Sequence, residues 1–222
     1  MDARKLKQRK KRLGELDREL KKLFPHAAIA LRYKTPWELL VAVILSAQCT
    51  DKRVNIVTEK LFQKYRTLNE YVNANPREFE KDIHSCGFYR NKTKSILGAA
   101  KIVQRNFKGK IPQTMTEMLT IPGVARKTGN VVLGNAHGIV EGIAVDTHVR
   151  RFAIRFDLSD HRDPVRIERD LMQLLPKKDW LTFTYRVIEY GRDICPARRH
   201  ECKNHPLTKL HPSAANIWPK AK

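Results

Sequence analysis

Residues 119–130 read Leu-Thr-Ile-Pro-Gly-Val-Ala-Arg-Lys-Thr-Gly-Asn. A Pro122-Gly123 turn between two apolar helical stretches points the backbone N–H groups of the second helix outward. With the positive end of the helix dipole, those donors bind an anion such as a phosphate. Gly123, Val124 and Ala125 make the turn; Arg126, Lys127 and Thr128 make the first helical turn after it. There Lys127 stands at the positive end of the dipole with Arg126 beside it. Downstream comes Val145-Asp146-Thr147-His148, approached by the apolar Gly142-Ile143-Ala144-Val145, which partly buries the Asp146 carboxylate. A nucleophilic lysine beside a phosphate-binding turn, with a carboxylate downstream, points to covalent chemistry on a nucleic-acid sugar. The plainer reading makes Lys127 one of 44 basic residues on a solvated surface. Asp146 is then a helix N-cap, since Asp-Thr-His-Val-Arg-Arg-Phe looks like a helix start. Cap and catalyst are compatible, because a capping carboxylate is held rigidly.

Two further stretches carry polar or aromatic groups where a ligand could use them. Residues 46–55 read Ser-Ala-Gln-Cys-Thr-Asp-Lys-Arg-Val-Asn. This break after an apolar helix is either an ordinary connection or a loop presenting Gln48, Thr50 and Asp51 to bases or a sugar. In Cys86-Gly87-Phe88-Tyr89-Arg90-Asn91-Lys92, Phe88 is either a core aromatic or a wedge that fills a vacated place in a base stack. The tail holds Cys195, Cys202, His205 and His211 in a C-x6-C-x2-H-x5-H pattern. Two thiols and two imidazoles suit one structural Zn²⁺ in a tetrahedral site. The alternative is a loop held by packing and prolines without metal.

The elements that must position these groups read as helix after helix. Thr35-Pro36-Trp37-Glu38 is a capping box with proline at the first helical position, and Asn75-Pro76-Arg77-Glu78 starts a helix by the same logic. Thr114-Met115-Thr116-Glu117 and Asp163-Pro164 begin two more. The one candidate strand, weak, spans Ile139 to Val145. The expected fold class is all-α. Hydrophobic content of 41% supports a real core in 222 residues, and no apolar run reaches the roughly 18 residues of a membrane span. No membrane partner is expected. The net charge is +21, from 44 Lys+Arg against 23 Asp+Glu. Such an excess binds polyanions through counterion release, in a nucleic-acid enzyme or in a merely basic ribosomal or chromatin protein; the hairpin favours the enzyme. Met1 to Lys22 carries ten Lys or Arg. Leu13, Leu16, Leu20 and Leu23 fall on one face of that helix, leaving a basic face for DNA. Four cysteines, two of them isolated, do not make a secreted disulfide framework, so a reducing compartment is expected.

Taken together, the chain resembles the endonuclease III family of DNA glycosylases. The match is carried by Thr35-Pro36-Trp37-Glu38-Leu39-Leu40 running into Leu45 through Asp51, by Gly87 through Lys92, and by the hairpin with Arg126-Lys127-Thr128. It continues in Val145-Asp146-Thr147-His148 and in the tail from Tyr190-Gly191-Arg192-Asp193-Ile194-Cys195. The resemblance implies two helical domains flanking a DNA groove. One is a six-helix barrel with a helix-hairpin-helix, expected over residues 30–140; the second combines residues 1–29 with 141–222. It implies base-excision repair of duplex DNA. A damaged base is flipped out, Lys127 displaces it through a Schiff base, Asp146 assists, and β-elimination cuts the strand 3′ to the site. Oxidised pyrimidines are the implied lesions. Gln48, Asp51, Phe88, Gly123, Val124, Ala125, Arg126, Thr128 and His148 are the implied DNA contacts. The protein is expected to act as a monomer in the cytoplasm, at the nucleoid, or in a nucleus if the source is eukaryotic. The alternatives are a monofunctional mismatch glycosylase, which lacks the lysine, and a non-catalytic helix-hairpin-helix protein.

Three positions depart from the family pattern. Ala125 replaces a glycine and is strained if the turn needs a positive φ there. Phe88 replaces a leucine. In the tail, His205 and His211 stand where the last two cysteines of a [4Fe–4S] cluster are expected, which disfavours an intact cluster and favours zinc or no metal.

Overall fold

The computed structural model describes residues 2–218; Met1 and residues 219–222, the extreme ends of the segments expected to form the second domain, lie outside them. Among the described residues the regular structure is helical, with no strand. The apolar alternation before Asp146 is not a sheet signal. Ile143 and Val145 are buried in a helical core while their backbone is irregular.

Contacts divide the chain into two units, Ala30–Glu141 and Met1–Ile29 with Gly142–Lys222. The second is built on α1 (Ala3–Leu23), the first on α2 (Pro36–Ser46), α3 (Asp51–Lys64), α4 (Leu68–Val72) and α5 (Pro76–Ile83). The first unit continues with α6 (Tyr89–Phe107), α7 (Met115–Met118) and α8 (Arg126–His137). The rest of the second comprises α9 (Thr147–Arg155), α10 (Pro164–Leu174), α11 (Trp180–Glu189) and α12 (Pro206–Leu210).

In the 30–141 unit, α2 buries every residue from Leu39 to Leu45. A helix apolar on all sides must be surrounded, and α3, α6 and α8 pack against it. Thr35 caps α2 by accepting the Glu38 N–H at 3.1 Å. The Glu38 carboxylate, however, accepts the Lys34 N–H rather than closing the expected box on Thr35.

In the other unit, Leu13, Leu16 and Leu20 of α1 are fully buried with Val149, Phe152, Leu171 and Phe183. The basic face of α1 is only partly available to an outside anion. Arg4, Lys7, Lys10 and Lys11 are exposed. Arg9, 1% exposed, instead ion-pairs with Asp157 at 2.6 Å and Asp160 at 2.8 Å, Arg12 pairs with Asp157 and Lys5 with Asp160. An arm whose cations meet carboxylates of their own unit is a structural strut. The spacing of lysines and arginines could not reveal this, since the partners lie about 150 residues away in the chain.

Candidate active site

The hairpin is built by two close approaches. Gly123 has φ +81°, and a Cβ there would lie 2.7 Å from Ser95 Cβ, so both conformation and space demand glycine. Gly129, one turn into α8, sits where a Cβ would meet Met115 Sδ at 2.6 Å, which lets α8 close onto α7. Ala125 is the N-cap of α8 with φ −97° and ψ 171°. That is extended backbone, so alanine is unstrained there and the departure from glycine costs nothing.

No side chain caps α8. By contrast α2, α3, α4, α5 and α7 of the same unit each begin with a Thr or Asn oxygen on a first-turn N–H. The α8 start thus combines an uncapped dipole end with the exposed Lys127 and the half-buried Thr128. Val124, buried, anchors the turn, its N–H bonded to the Ile121 carbonyl at 3.1 Å. Arg126 is half-buried.

Beside the hairpin lies a recess of about 270 Å³ whose lining includes Gln48, Phe88, Asn91, Lys92, Gly123 and Thr128. Gln48 and Phe88 share a peculiarity: both are left-handed, at φ 53° and 48°. Such a conformation costs a non-glycine residue about 1–3 kcal/mol; Lys108 and Asp157, outside this recess, also adopt it. Phe88 is 62% exposed, so the core-aromatic reading is excluded. It also begins α6 without a side-chain cap. Asp51 opens α3, half-buried, beside the cap residue Thr50.

One residue of this recess has a role the sequence pattern did not reveal. Lys92 is 5% exposed, and its ammonium donates to the carbonyls of Leu45 and Cys86, both at 2.8 Å. It thereby ties the segment leading to Gln48 to the segment leading to Phe88. Burial pulls its pKa below the ordinary lysine value. Within a run of exposed-looking basic residues, nothing marked Lys92 as the buried one except its place three residues after Tyr89 on the inner face of α6.

Asp146 lies in the other unit and is the N-cap of α9. One carboxylate oxygen accepts the N–H groups of His148 and Val149, both at 2.9 Å; the other lies 3.1 Å from His148 Nδ1. The side chain is 14% exposed, so it is held rigidly yet reachable. Thr184 bonds the Ala144 carbonyl and fixes the approach. Gly191 leaves room for His148, whose ring carbon a Cβ there would meet at 2.6 Å. It falls in a wide π-turn, Tyr190–Ile194, that extends α11.

The four tail positions do not converge. Cys195 and Cys202 are buried and joined by Arg155, whose Nη1 donates to Cys195 Sγ at 2.6 Å and Nη2 to Cys202 Sγ at 3.0 Å. His211 turns away, its Nε2 3.3 Å from a Glu15 carboxylate oxygen. The expected set of Cys195, Cys202, His205 and His211 is not drawn together in this structure: Arg155 lies between the two thiols and His211 lies against Glu15 of α1. A [4Fe–4S] cluster, which takes four thiolates, does not fit either, with two thiols present and a guanidinium bridging them.

These sites sit in a recognisable frame. The HhH-GPD superfamily base excision DNA repair protein family matches residues 41–177. The endonuclease III of Synechocystis sp. is 51% identical over 211 residues, covering 95% of this chain and 96% of that protein. Among solved structures, a non-covalent endonuclease III–DNA complex superposes with a TM-score of 0.88 at 39% identity, over 93% of this chain and 97% of the other. A trapped endonuclease III–DNA covalent intermediate gives 0.86 at 40% identity, over 90% and 94%. The chain belongs to the HhH-GPD superfamily of base excision DNA repair proteins and, within it, to the endonuclease III family.

Proposed function

We propose that the protein is a base-excision DNA glycosylase with lyase activity at abasic sites, acting on oxidised pyrimidines in duplex DNA. The observation that carries this reading is Lys127, an exposed lysine in the first turn of a helix that no side chain caps. The uncapped end and the Gly123 turn grip a DNA phosphate, which places Lys127 at the adjoining sugar. With the nucleotide flipped out, the Lys127 amine bonds to C1′ as the glycosidic bond breaks, and the base leaves with that electron pair. Ring opening gives the protonated imine. Loss of a C2′ proton then expels the 3′ phosphate, which cuts the strand. Asp146 stabilises the positive charge that grows on the sugar during base loss. Its two backbone donors keep the carboxylate oriented without neutralising it.

Gln48 and Phe88 occupy the space the flipped nucleotide leaves, Phe88 by stacking; Asp51 and His148 complete the contacts. The enzyme acts as a monomer, in the cytoplasm at the nucleoid. No described helix is long and apolar enough to cross a membrane. Borohydride reduction in the presence of an oxidised-pyrimidine duplex tests the reading. A covalent enzyme–DNA adduct that maps to Lys127 is expected; base release without any adduct would show a monofunctional enzyme instead.

A further inference from the structure

The tail offers a different set of ligands from the one its family pattern suggests. Cys195, His200 and His205 each present one ligand atom, and the three atoms lie within 4.8 Å of one another. His200 is outside the C-x6-C-x2-H-x5-H spacing. Its Nδ1 lies 2.7 Å from the Arg198 carbonyl. A proton on Nδ1 makes that a hydrogen bond and leaves Nε2 with a free lone pair, the arrangement that orients metal-binding imidazoles. His200 Nε2 and His205 Nδ1 are both buried and lack any hydrogen-bond partner. Two orphaned ring nitrogens on stacked imidazoles, with centroids 5.1 Å apart, are costly unless something accepts their lone pairs.

We propose that Cys195, His200 and His205 hold one Zn²⁺, with the fourth tetrahedral position open to a water. Bonds of about 2.0 Å to nitrogen and 2.3 Å to sulfur set ligand atoms roughly 3.3–3.6 Å apart, so atoms that now lie within 4.8 Å of one another draw in by at most about 1.5 Å. Zn²⁺ replaces the Cys195 thiol proton, which passes to water. Arg155 then acts as the outer partner of the thiolate through its 2.6 Å bond to Cys195 Sγ, while its other arm keeps Cys202 out of the coordination sphere. Cys195 ends the π-turn after α11, and His205 is the N-cap of α12. The ion therefore stitches these two elements together, the place in the fold where the family's cluster is expected but with a ligand that the family pattern does not contain.

The test uses the full chain, stripped with chelator and titrated with Zn²⁺ or Co²⁺. One zinc per chain by elemental analysis is expected, together with a thiolate-to-cobalt charge-transfer band. At a hundredfold excess of free Zn²⁺ over its Kd, the melting temperature should rise by about 5 °C. His200→Ala should lose the metal and that rise, and Cys195→Ser the cobalt band, while His211→Ala and Cys202→Ser retain one zinc. Because Cys195→Ser could fail to fold, the comparison of His200→Ala with His211→Ala is decisive. Metal lost on His211→Ala but kept on His200→Ala overturns the assignment, as does a chain that binds no zinc or carries stoichiometric iron and sulfide.

Discussion

The starts of α8 and α9 are built from the same local device and finished in opposite ways. Both helices begin at an extended N-cap, Ala125 at φ −97° and Asp146 at φ −94°. At α9 the carboxylate of Asp146 fills the positive end of the dipole from within. At α8 alanine fills nothing, and a lysine stands in the first turn where an acidic residue would be favoured. The capped helix immobilises its own carboxylate; the uncapped one leaves its first-turn donors without a side-chain acceptor, which is where the proposed function puts a DNA phosphate. The same division extends outward, since Asp157 and Asp160 meet Arg9, Arg12 and Lys5 within their own unit.

The most severe way to break this comparison is Lys127→Gln. Base release and strand cutting should both fall by at least about 10³-fold, because the covalent route is gone. Duplex affinity should stay within about threefold, since the turn's N–H donors remain. Single-turnover kinetics and filter binding separate the two effects, and a comparable loss of affinity would make Lys127 a phosphate contact only. Asp146→Asn comes next. Asparagine caps nearly as well as aspartate, so the melting temperature should barely move, while base release slows by about 10²-fold or more. Cleavage of a preformed abasic site, with no glycosidic bond left to break, should slow much less. If both steps slow equally, the carboxylate serves the lyase chemistry or the fold rather than base loss.

Gly123→Ala attacks the open helix start through its geometry. A positive φ and a 2.7 Å approach to Ser95 together should cost about 1–3 kcal/mol, a fall of several degrees in melting temperature. Weaker binding to duplexes of any sequence should accompany it. Phe88→Gly is expected to act in the opposite sense on stability. Relief of the left-handed strain should leave the melting temperature at or above that of the parent, while loss of one stacking surface slows base release about tenfold. A fall of more than about 3 °C would mean that the ring is packed rather than poised.

What could be read from residues alone was what local chemistry decides. Thr35, Asn75, Thr114, Asp146 and Asp163 all cap the helices their types announced, because a cap is an interaction over two or three residues. The Pro122-Gly123 turn was legible for the same reason. Pairings over long separations were not. Arg9 looked like one more cation in a basic arm, yet its partners follow α9. Lys92, which closes the Gly87–Lys92 stretch, is buried. Spacing groups His211 with the cysteines, but in the fold it lies against Glu15 of α1. His200 lies outside that spacing. In each case the deciding partner lies across the fold, where composition and period carry no information.

The smallest effect concerns the internally paired carboxylates. Hydrogen bonds from Arg9 and Lys5 hold the Asp160 carboxyl well below the ordinary carboxylate range. Burial raises that of Asp157, but bonds from Arg12 and Arg9 outweigh it and the net direction is again downward. A carboxyl whose pKa is lower when folded contributes stability that is fully present above its unfolded value, about 3.9, and disappears as pH falls through the folded value. Both side chains are about half exposed, 55% for Asp157 and 49% for Asp160, so solvent screening limits each pair to about 1 kcal/mol or less. Asp160→Asn should therefore lower stability in urea slightly at pH 6, and the gap from the parent should narrow steadily below pH 4. A gap that stays constant down to pH 2.5 would show that Asp160 acts through packing or neutral hydrogen bonds. The division between internally satisfied and externally directed charge would then rest on Asp146 alone.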